Sequence, residues 1–192
     1  MGEYIGFLAR DIYDGGLNRY LVWPLPPLGY KALTYLTYSS FYLVQMVILY
    51  TGARLWLDEA SYTSEESVRL VLGVGYFLFA TLGFFFLMCL CEMVAFWADN
   101  TWTLGVMLRF VASFLGGLFI PLSFFPPEVR PWLEWFPFHA MICTPINLIM
   151  GDATLLASGQ QFLVLLGWLV ILNFAVRVMW KKGNLQYTGV GM

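Results

Sequence analysis

Residues 68–93 read VRLVLGVGYFLFATLGFFFLMCLCEM, a run in which only Arg69 and Glu92 are charged, each close to one end. As an α-helix this run would be about 39 Å long, whereas the hydrocarbon core of a bilayer is about 30 Å thick. Apolar residues cover all its faces, and a strand of a membrane β-barrel would instead alternate apolar and polar residues. The run therefore predicts a transmembrane helix.

The composition of the whole chain is that of a membrane protein. Of its 192 residues, 60% are hydrophobic and 11% are charged, and its mean hydropathy is +0.72. A soluble domain has about 25% charged residues, and one of this size could not bury so much apolar surface. The net charge of −2 provides no basic surface for a nucleic acid. The sequence therefore predicts an all-α integral membrane protein, embedded in a lipid bilayer and without a nucleic-acid partner.

Three further apolar runs, 31–57, 102–122 and 162–180, also approach or exceed the roughly 20 residues that a membrane crossing requires. Together with 68–93 they predict about four transmembrane helices. Basic residues flank the first and the last of these spans: Arg10, Arg19, Lys31, Arg177, Lys181 and Lys182. The loop between the first two spans contains acidic residues but no basic one. By the positive-inside rule, both termini are expected on the cytoplasmic side of a multi-pass protein of the inner membrane.

Residues 1–30 do not form a span and are predicted to be amphipathic. Ile5, Leu8 and Ile12 recur at helical spacing, and Gly15 and Gly16 then favour a helix end. We interpret the segment as an element at the cytoplasmic membrane interface. It could be a surface anchor or a docking element for a cytoplasmic partner.

Residues 123–160 form the second non-spanning segment. Pro121 is expected to break the third span, a short helix with Trp132 and Trp135 on one face follows, and Pro137 and Pro145 divide the next apolar run. That run is too short to cross a membrane alone. We interpret the segment as a broken re-entrant hairpin on the outer side, where irregular backbone must be covered by protein or line a water-filled cavity. The alternative is an interfacial loop anchored by tryptophan.

These two segments resemble ABC-2 type transporter permeases. Residues 11–24, DIYDGGLNRYLVWP, are similar to the cytoplasmic segment of that family. The second half of the family is matched, in order, by AFW at 95–97, FLGGLFIPL at 114–122, Phe125-Pro126, Pro137-Phe138, Pro145 and Gly151. Residues 183–191 resemble its usual C-terminal end, so that the resemblance covers nearly the whole chain.

The resemblance implies the permease subunit of an ATP-driven exporter. Such a subunit pairs with a second permease subunit, identical or different, and with a dimer of P-loop ATPase subunits. ATP and Mg²⁺ would belong to those ATPases, since this chain has no Gly-Lys-Ser/Thr in P-loop spacing and we expect no cofactor in it. The resemblance assigns ATPase coupling to Asp11, Asp14, Gly15, Leu17, Tyr20, Leu21 and Pro24. It assigns hinge or re-entrant positions to Gly116, Gly117, Pro121, Pro126, Pro137 and Pro145.

One departure from the family concerns the number of spans. Permeases of this kind usually have six spans, two of them before the Asp-Ile segment, whereas here Met1 lies just before that segment. The chain thus resembles the last four spans, as a shortened subunit, a half encoded apart from its first half, or a mis-started chain. The alternative function is therefore an accessory subunit that anchors or regulates a transporter without forming the translocation path.

Three polar side chains stand out inside the predicted spans: Gln45, Glu92 and Arg109. Gln45 is expected to form either a helix–helix hydrogen bond or a substrate contact. Arg109 lies about 10 Å along the helix from Trp102. It is expected to extend to the inner interface, to pair with Glu92 or Asp99, or to line a polar path. No residue pattern indicates a metal site or a catalytic group, so transport is predicted rather than enzymatic activity. The apolar spans do not indicate a substrate.

Overall fold

A computed structural model of the chain describes residues 7–57 and 63–187, with only the backbone described at Phe7, Leu21 and Val22. Regular structure in these residues is entirely helical. The α-helices are α1 Phe7–Tyr13, α2 Pro27–Trp56, α3 Ser64–Met93, α4 Trp102–Leu115, α5 Arg130–Trp135, α6 Pro137–Met150 and α7 Leu155–Asn184. Short 3₁₀ segments lie at Gly16–Val22, Val94–Phe96 and Leu122–Phe124.

Three of these helices, α2, α3 and α7, are long and apolar enough to cross a membrane. Each has 30 residues, or about 45 Å. The predicted spans 68–93 and 162–180 lie within α3 and α7, and α2 covers all of the span 31–57 except its last residue. The shorter apolar helices α4 and α6 have 14 residues each, or about 21 Å. This architecture confirms the predicted all-α membrane protein.

Helix α4 ends earlier than the predicted span 102–122. Its last residue is Leu115, and Gly117 follows with a φ of +86°, in the left-handed region that favours glycine. The Leu118 amide donates to the Ser113 carbonyl oxygen at 3.0 Å, which is the 6→1 bond of a Schellman cap. The glycine therefore ends the helix several residues before Pro121, the break that the sequence predicts.

Helix α3 is the centre of the fold and packs against α1, α2, α4, α6 and α7. Two glycines bring α6 close to it, because a Cβ at Gly73 would clash with Ile149 and one at Gly83 would clash with Met141. Helix α2 lies at the periphery. Its only buried side chain among the described residues is Lys31, so most of its apolar surface faces outward.

The pairs Gly73–Ile149 and Gly83–Met141 also show that α6 runs antiparallel to α3. Gly83 lies about 28 Å along α3 from its first residue. Trp168 lies about 20 Å along α7 from the first residue of that helix. Its indole donates to the Trp135 carbonyl oxygen, at the end of α5, at 2.8 Å. Helix α6 therefore lies beside α3, and its junction with α5 lies beside the middle of α7. The re-entrant hairpin at residues 123–160 stays a prediction.

Candidate functional site

Residues 7–26, which we call the N-terminal cap, pack across the adjacent ends of α2 and α3. Leu8, Ile12, Leu17 and Tyr20 are at most 5% exposed and belong to the same core as Met93. The apolar face predicted for this segment thus exists, but it packs against the chain's own helices. The cap is an integral part of the fold and has only its outer face available to a partner.

Four side chains meet beneath the cap in what we call the cap cluster: Asp11, Arg19, Tyr20 and Lys31. The Asp11 carboxylate forms ion pairs with Lys31 at 2.5 Å and with Arg19 at 2.6 Å. It also accepts a hydrogen bond from the Tyr20 hydroxyl at 2.9 Å. Lys31 is 3% exposed whereas the side chain of Arg19 is 59% exposed. One carboxylate therefore joins α1, the 3₁₀ segment and α2 through charge-assisted bonds.

The protonation of the cluster follows from these contacts. Burial alone would raise the pKa of Asp11, but the hydrogen bond and charge of Lys31, with hydrogen bonds from Tyr20 and Arg19, hold it below its ordinary value. Burial and the adjacent Asp11 carboxylate raise the pKa of the Tyr20 hydroxyl. The hydrogen bond with Tyr20 contributes most to the raised pKa of Arg19. The carboxylate is thus ionised and the phenol is neutral at physiological pH.

Two adjacent glycines allow the chain to turn back over Asp11. Gly15 has a φ of +70°, and it ends α1 as the sequence predicted. A Cβ at Gly16 would lie 3.0 Å from the Asp11 Oδ1 atom, which is closer than an ordinary contact. A larger residue at position 16 would therefore displace the carboxylate that holds the cluster together.

Glu92 connects the cap to α3. Its carboxylate, on a residue 6% exposed, accepts a hydrogen bond from the Leu8 amide at 2.6 Å, at the start of α1. An anion at this position satisfies an amide that the helix leaves without an intrahelical partner. Farther along α1, the Tyr13 hydroxyl donates to the Ala98 carbonyl oxygen at 2.8 Å. The cap is thus bonded to the end of α3 and to the turn that follows it.

The predicted coupling residues fall into two groups. Asp11, Leu17 and Tyr20 face inward, and the Leu21 side chain lies outside the described residues. Their coupling role stays a prediction, and the inward-facing side chains could serve it only by supporting the cap.

Of the other predicted coupling residues, Asp14 and Pro24 are exposed and Gly15 is half-buried. Asp14 and Pro24 form, with the exposed neighbours Arg10, Trp23 and Leu25, what we call the cap surface. Asp14 forms an ion pair with Arg10 at 3.3 Å. Both side chains are exposed to solvent, so the pair is weak. Trp23 is 43% exposed and Leu25 49% exposed. This surface is available for contact with a partner protein.

The predicted hinge residues lie around the α4–α6 contact. A Cβ at Gly116 would lie 2.7 Å from Ile142, and one at Gly117 would lie 2.9 Å from the Cys143 sulfur. The end of α4 therefore rests directly on α6 and depends on both glycines.

The prolines organise the connecting backbone. Pro121 is extended before the 3₁₀ turn, and Pro126 accepts the Val129 amide in the next turn. Pro137 is the first residue of α6, where proline is favoured, and Pro145 lies buried inside that helix. Pro137 thus marks a break as predicted, whereas Pro145, which was expected to divide this apolar run, lies inside one continuous helix. The hinge role of these residues stays a prediction.

Among the polar residues of the predicted spans, Gln45 lies apart from Glu92. Gln45 is exposed and lines an apolar cleft of about 510 Å³ between α2 and α6. Arg109 is half-buried on α4, and both it and Glu92 act electrostatically on the Tyr35 hydroxyl. A pair of Arg109 with Glu92 or Asp99 stays a prediction.

Sequence reasoning missed the partners of Asp11. In the sequence, Lys31 is a basic residue at the start of a span. Its buried position beside the Asp11 carboxylate leaves no local sequence signal, because the two residues are far apart in the chain. Arg19 and Tyr20 lie within the predicted segment, and a turn at Gly15–Gly16 is the one feature that indicates their return toward Asp11.

These features define a multi-pass helical membrane protein whose N-terminal segment is bonded to its long helices. Residues 3–191 match the family described as ABC-2 family transporter protein, and the chain belongs to that family. Neither a curated protein nor a solved structure matches the chain. The match confirms the predicted family resemblance and identifies the chain as a membrane permease component of an ABC transporter.

Proposed function

We propose that this permease exports its substrate in a complex with a second permease subunit and two P-loop ATPase subunits. The cap surface is the ATPase dock, on the cytoplasmic side of the inner membrane. ATP and Mg²⁺ bind to the ATPase subunits, and closure of those subunits shifts the permeases between two states.

The cap cluster is the observation that carries this proposal. The cap surface lies outside, while beneath it Asp11 bonds to α2 through Lys31 and the start of α1 bonds to α3 through Glu92. A force applied to the cap surface would therefore reach two long helices through buried, charge-assisted bonds rather than through a flexible linker. Such a connection suits a segment that transmits an ATPase movement to membrane helices.

The α4–α6 region supports the presence of a second permease subunit. Its irregular backbone lies beside the middle of α7, where lipid cannot satisfy free peptide groups. Large apolar side chains around it are nevertheless uncovered, with Phe119 59% and Trp132 72% exposed. A second subunit would cover this surface, or enclose with it a water-filled path for a substrate.

The test begins with purification of the intact chain in a mild detergent and identification of co-eluting proteins by mass spectrometry. The expected partner contains a P-loop, and its ATP hydrolysis changes when the permease is present. Leu25→Glu on the cap surface should reduce both co-purification and coupling.

Leu185→Glu is the matched control, because it makes the same change at an exposed leucine near the C-terminal end of α7. It should leave both properties unchanged. An ATPase that remains bound and coupled in Leu25→Glu would exclude the cap surface as its dock, and the absence of any P-loop partner would contradict the proposed complex.

A further inference from the structure

The apolar cleft between α2 and α6 lies toward the end of α2 that points away from the cap. Its walls extend from Tyr42 to Tyr50 on α2 and from Ile146 to Met150 on α6. Its volume of about 510 Å³ is within the range of small-molecule sites, about 300–1,000 Å³. Leu49, on the α2 wall, is 73% exposed. The cleft is therefore an open space that a hydrophobic ligand can enter from the side.

The length of the cleft corresponds to one leaflet of a bilayer. Arg54 lies about 6 Å along α2 beyond Tyr50 and about 18 Å beyond Tyr42. A charged side chain belongs at the polar interface, and half of the hydrocarbon core is about 15 Å thick. The cleft thus reaches from the interface to about the midplane, as an acyl chain does. A helix about 10–12 Å wide would take up roughly 1,400–2,000 Å³ over that length, so a partner's transmembrane helix does not fit inside the cleft.

Polar side chains follow the apolar walls at the end of the cleft farther from the cap. On α2, Arg54 has a side-chain hydrogen bond with Tyr50 and an ion pair with Glu66 of α3 at 3.0 Å. At the end of α6, the Gly151 carbonyl oxygen accepts a hydrogen bond from Arg69 at 3.0 Å. Both α2 and α6 run antiparallel to α3, so these two ends lie on the same side of the fold. One arginine therefore stands at the end of each wall.

This polar end of the cleft carries charges of both signs. Beside the two arginines it has the Glu66 carboxylate, and Glu65 and Asp152 are exposed on the same helix end and turn. A phosphate group accepts charge-assisted hydrogen bonds from guanidinium groups, and an ammonium group donates them to carboxylates. A head group that contains both a phosphate and an ammonium group therefore complements these charges better than an uncharged or a purely anionic one.

We propose that the cleft between α2 and α6 binds an acyl chain of a zwitterionic phospholipid, from the leaflet farther from the cap. The head group lies at the polar end of the cleft, beside Arg54 and Arg69. Ion pairs hold α2 at both ends, through Lys31 to the cap and through Arg54 to α3. Between these ends, the bound lipid fills the space that separates α2 from α6. The inference is independent of which protein partners the permease has.

Native mass spectrometry of the full chain, purified from membranes in a mild detergent, tests the site. The wild type should retain one phospholipid, and Leu49→Trp, which places an indole in the cleft, should lose it. Ile48→Trp is the matched control, because Ile48 is 62% exposed and does not line the cleft. This variant should retain the lipid. Met46→Trp fills the cleft from the neighbouring turn and replaces Leu49→Trp in the test if that variant does not fold.

Three results would overturn the inference. They are a wild type without bound phospholipid, a cleft-filling variant that retains the lipid as well as the wild type does, and a second polypeptide, instead of a lipid, that is lost from the cleft-filling variant.

A second experiment tests the head group with lipids that share the same acyl chains. Delipidated protein should bind dioleoylphosphatidylethanolamine about tenfold more tightly than dioleoylglycerol, which lacks the phosphate and the amine. Arg54→Gln should reduce this preference and leave the binding of dioleoylglycerol unchanged. Equal affinities of the wild type for the two lipids, or tighter binding of the anionic dioleoylphosphatidylglycerol than of the zwitterionic lipid, would contradict the proposed head group.

Discussion

Lys31→Met should destabilise the protein several times more than Arg19→Met, although each change removes one cation from the same carboxylate. The two nitrogens lie at almost equal distances from Asp11, 2.5 Å and 2.6 Å, but Lys31 is buried and Arg19 is mostly exposed. Removing one partner of a buried pair costs about 3–5 kcal/mol, and removing a solvated partner costs under about 1 kcal/mol. Because Arg19 still neutralises part of the Asp11 charge, we expect about 3 kcal/mol for Lys31→Met. Methionine retains most of the apolar stem in both variants, so that packing changes little.

The measurement is the melting temperature of wild type and both variants in one detergent, followed by tryptophan fluorescence. Asp11→Asn combined with Lys31→Met should destabilise by less than the sum of the single changes, because each removes the same interaction. Equal losses for Lys31→Met and Arg19→Met would refute the argument, since burial would then have no effect on the strength of the pair. Additive losses in the double variant would refute it as well, because the two residues would not interact.

Three further predictions concern acid stability, helix packing and topology. The pKa of Asp11 lies below its ordinary 3.8, so its stabilisation is complete above that pH and is lost as the pH falls through the lowered pKa. In melting curves below about pH 4, wild type should therefore lose stability more steeply than Asp11→Asn. Gly183→Ala should destabilise by about 1–3 kcal/mol because its methyl group would meet a phenylalanine ring, whereas Gly167→Ala, with open space around it, should be neutral or stabilising in the same melting assay. In a variant without the native cysteines, a cysteine at Ser64 should react with an impermeant thiol reagent on intact cells and one at Lys182 should not; the reverse pattern would contradict the predicted orientation.

The long helices were predictable because their signal is local. Residues 68–93 lie within α3 and 162–180 within α7, and lipid-facing helices of this length need only continuous apolar character. The end of α4 was less predictable, because Gly116 and Pro121 are both plausible helix ends and the choice depends on the packing of Gly117 against α6. Sequence periodicity alone does not contain that contact.

The cap shows a different limit of sequence reasoning. The spacing of Ile5, Leu8 and Ile12 indicates an apolar face, and Leu8 and Ile12 are buried, while Ile5 lies outside the described residues. Amphipathicity, however, does not determine what covers that face. A membrane surface, a partner protein and the chain's own α3 present equally apolar contacts. The structure shows that α3 covers it, and a long-range bond from Leu8 to Glu92 fixes the arrangement.

The choice of a buried ion pair over an apolar contact has a consequence for coupling. A buried pair seldom increases stability over a well-packed apolar contact, because desolvation offsets most of the attraction between its charges. The effect of the Asp11–Lys31 pair is instead on geometry, since charge-assisted hydrogen bonds fix both the distance and the direction between the cap and α2. Apolar side chains of similar size would keep the cap attached but would let it slide. If the cap receives the ATPase movement, sliding of the cap would reduce the movement that reaches α2. An apolar replacement of the Asp11–Lys31 pair should therefore preserve folding but weaken the coupling between ATP hydrolysis and transport.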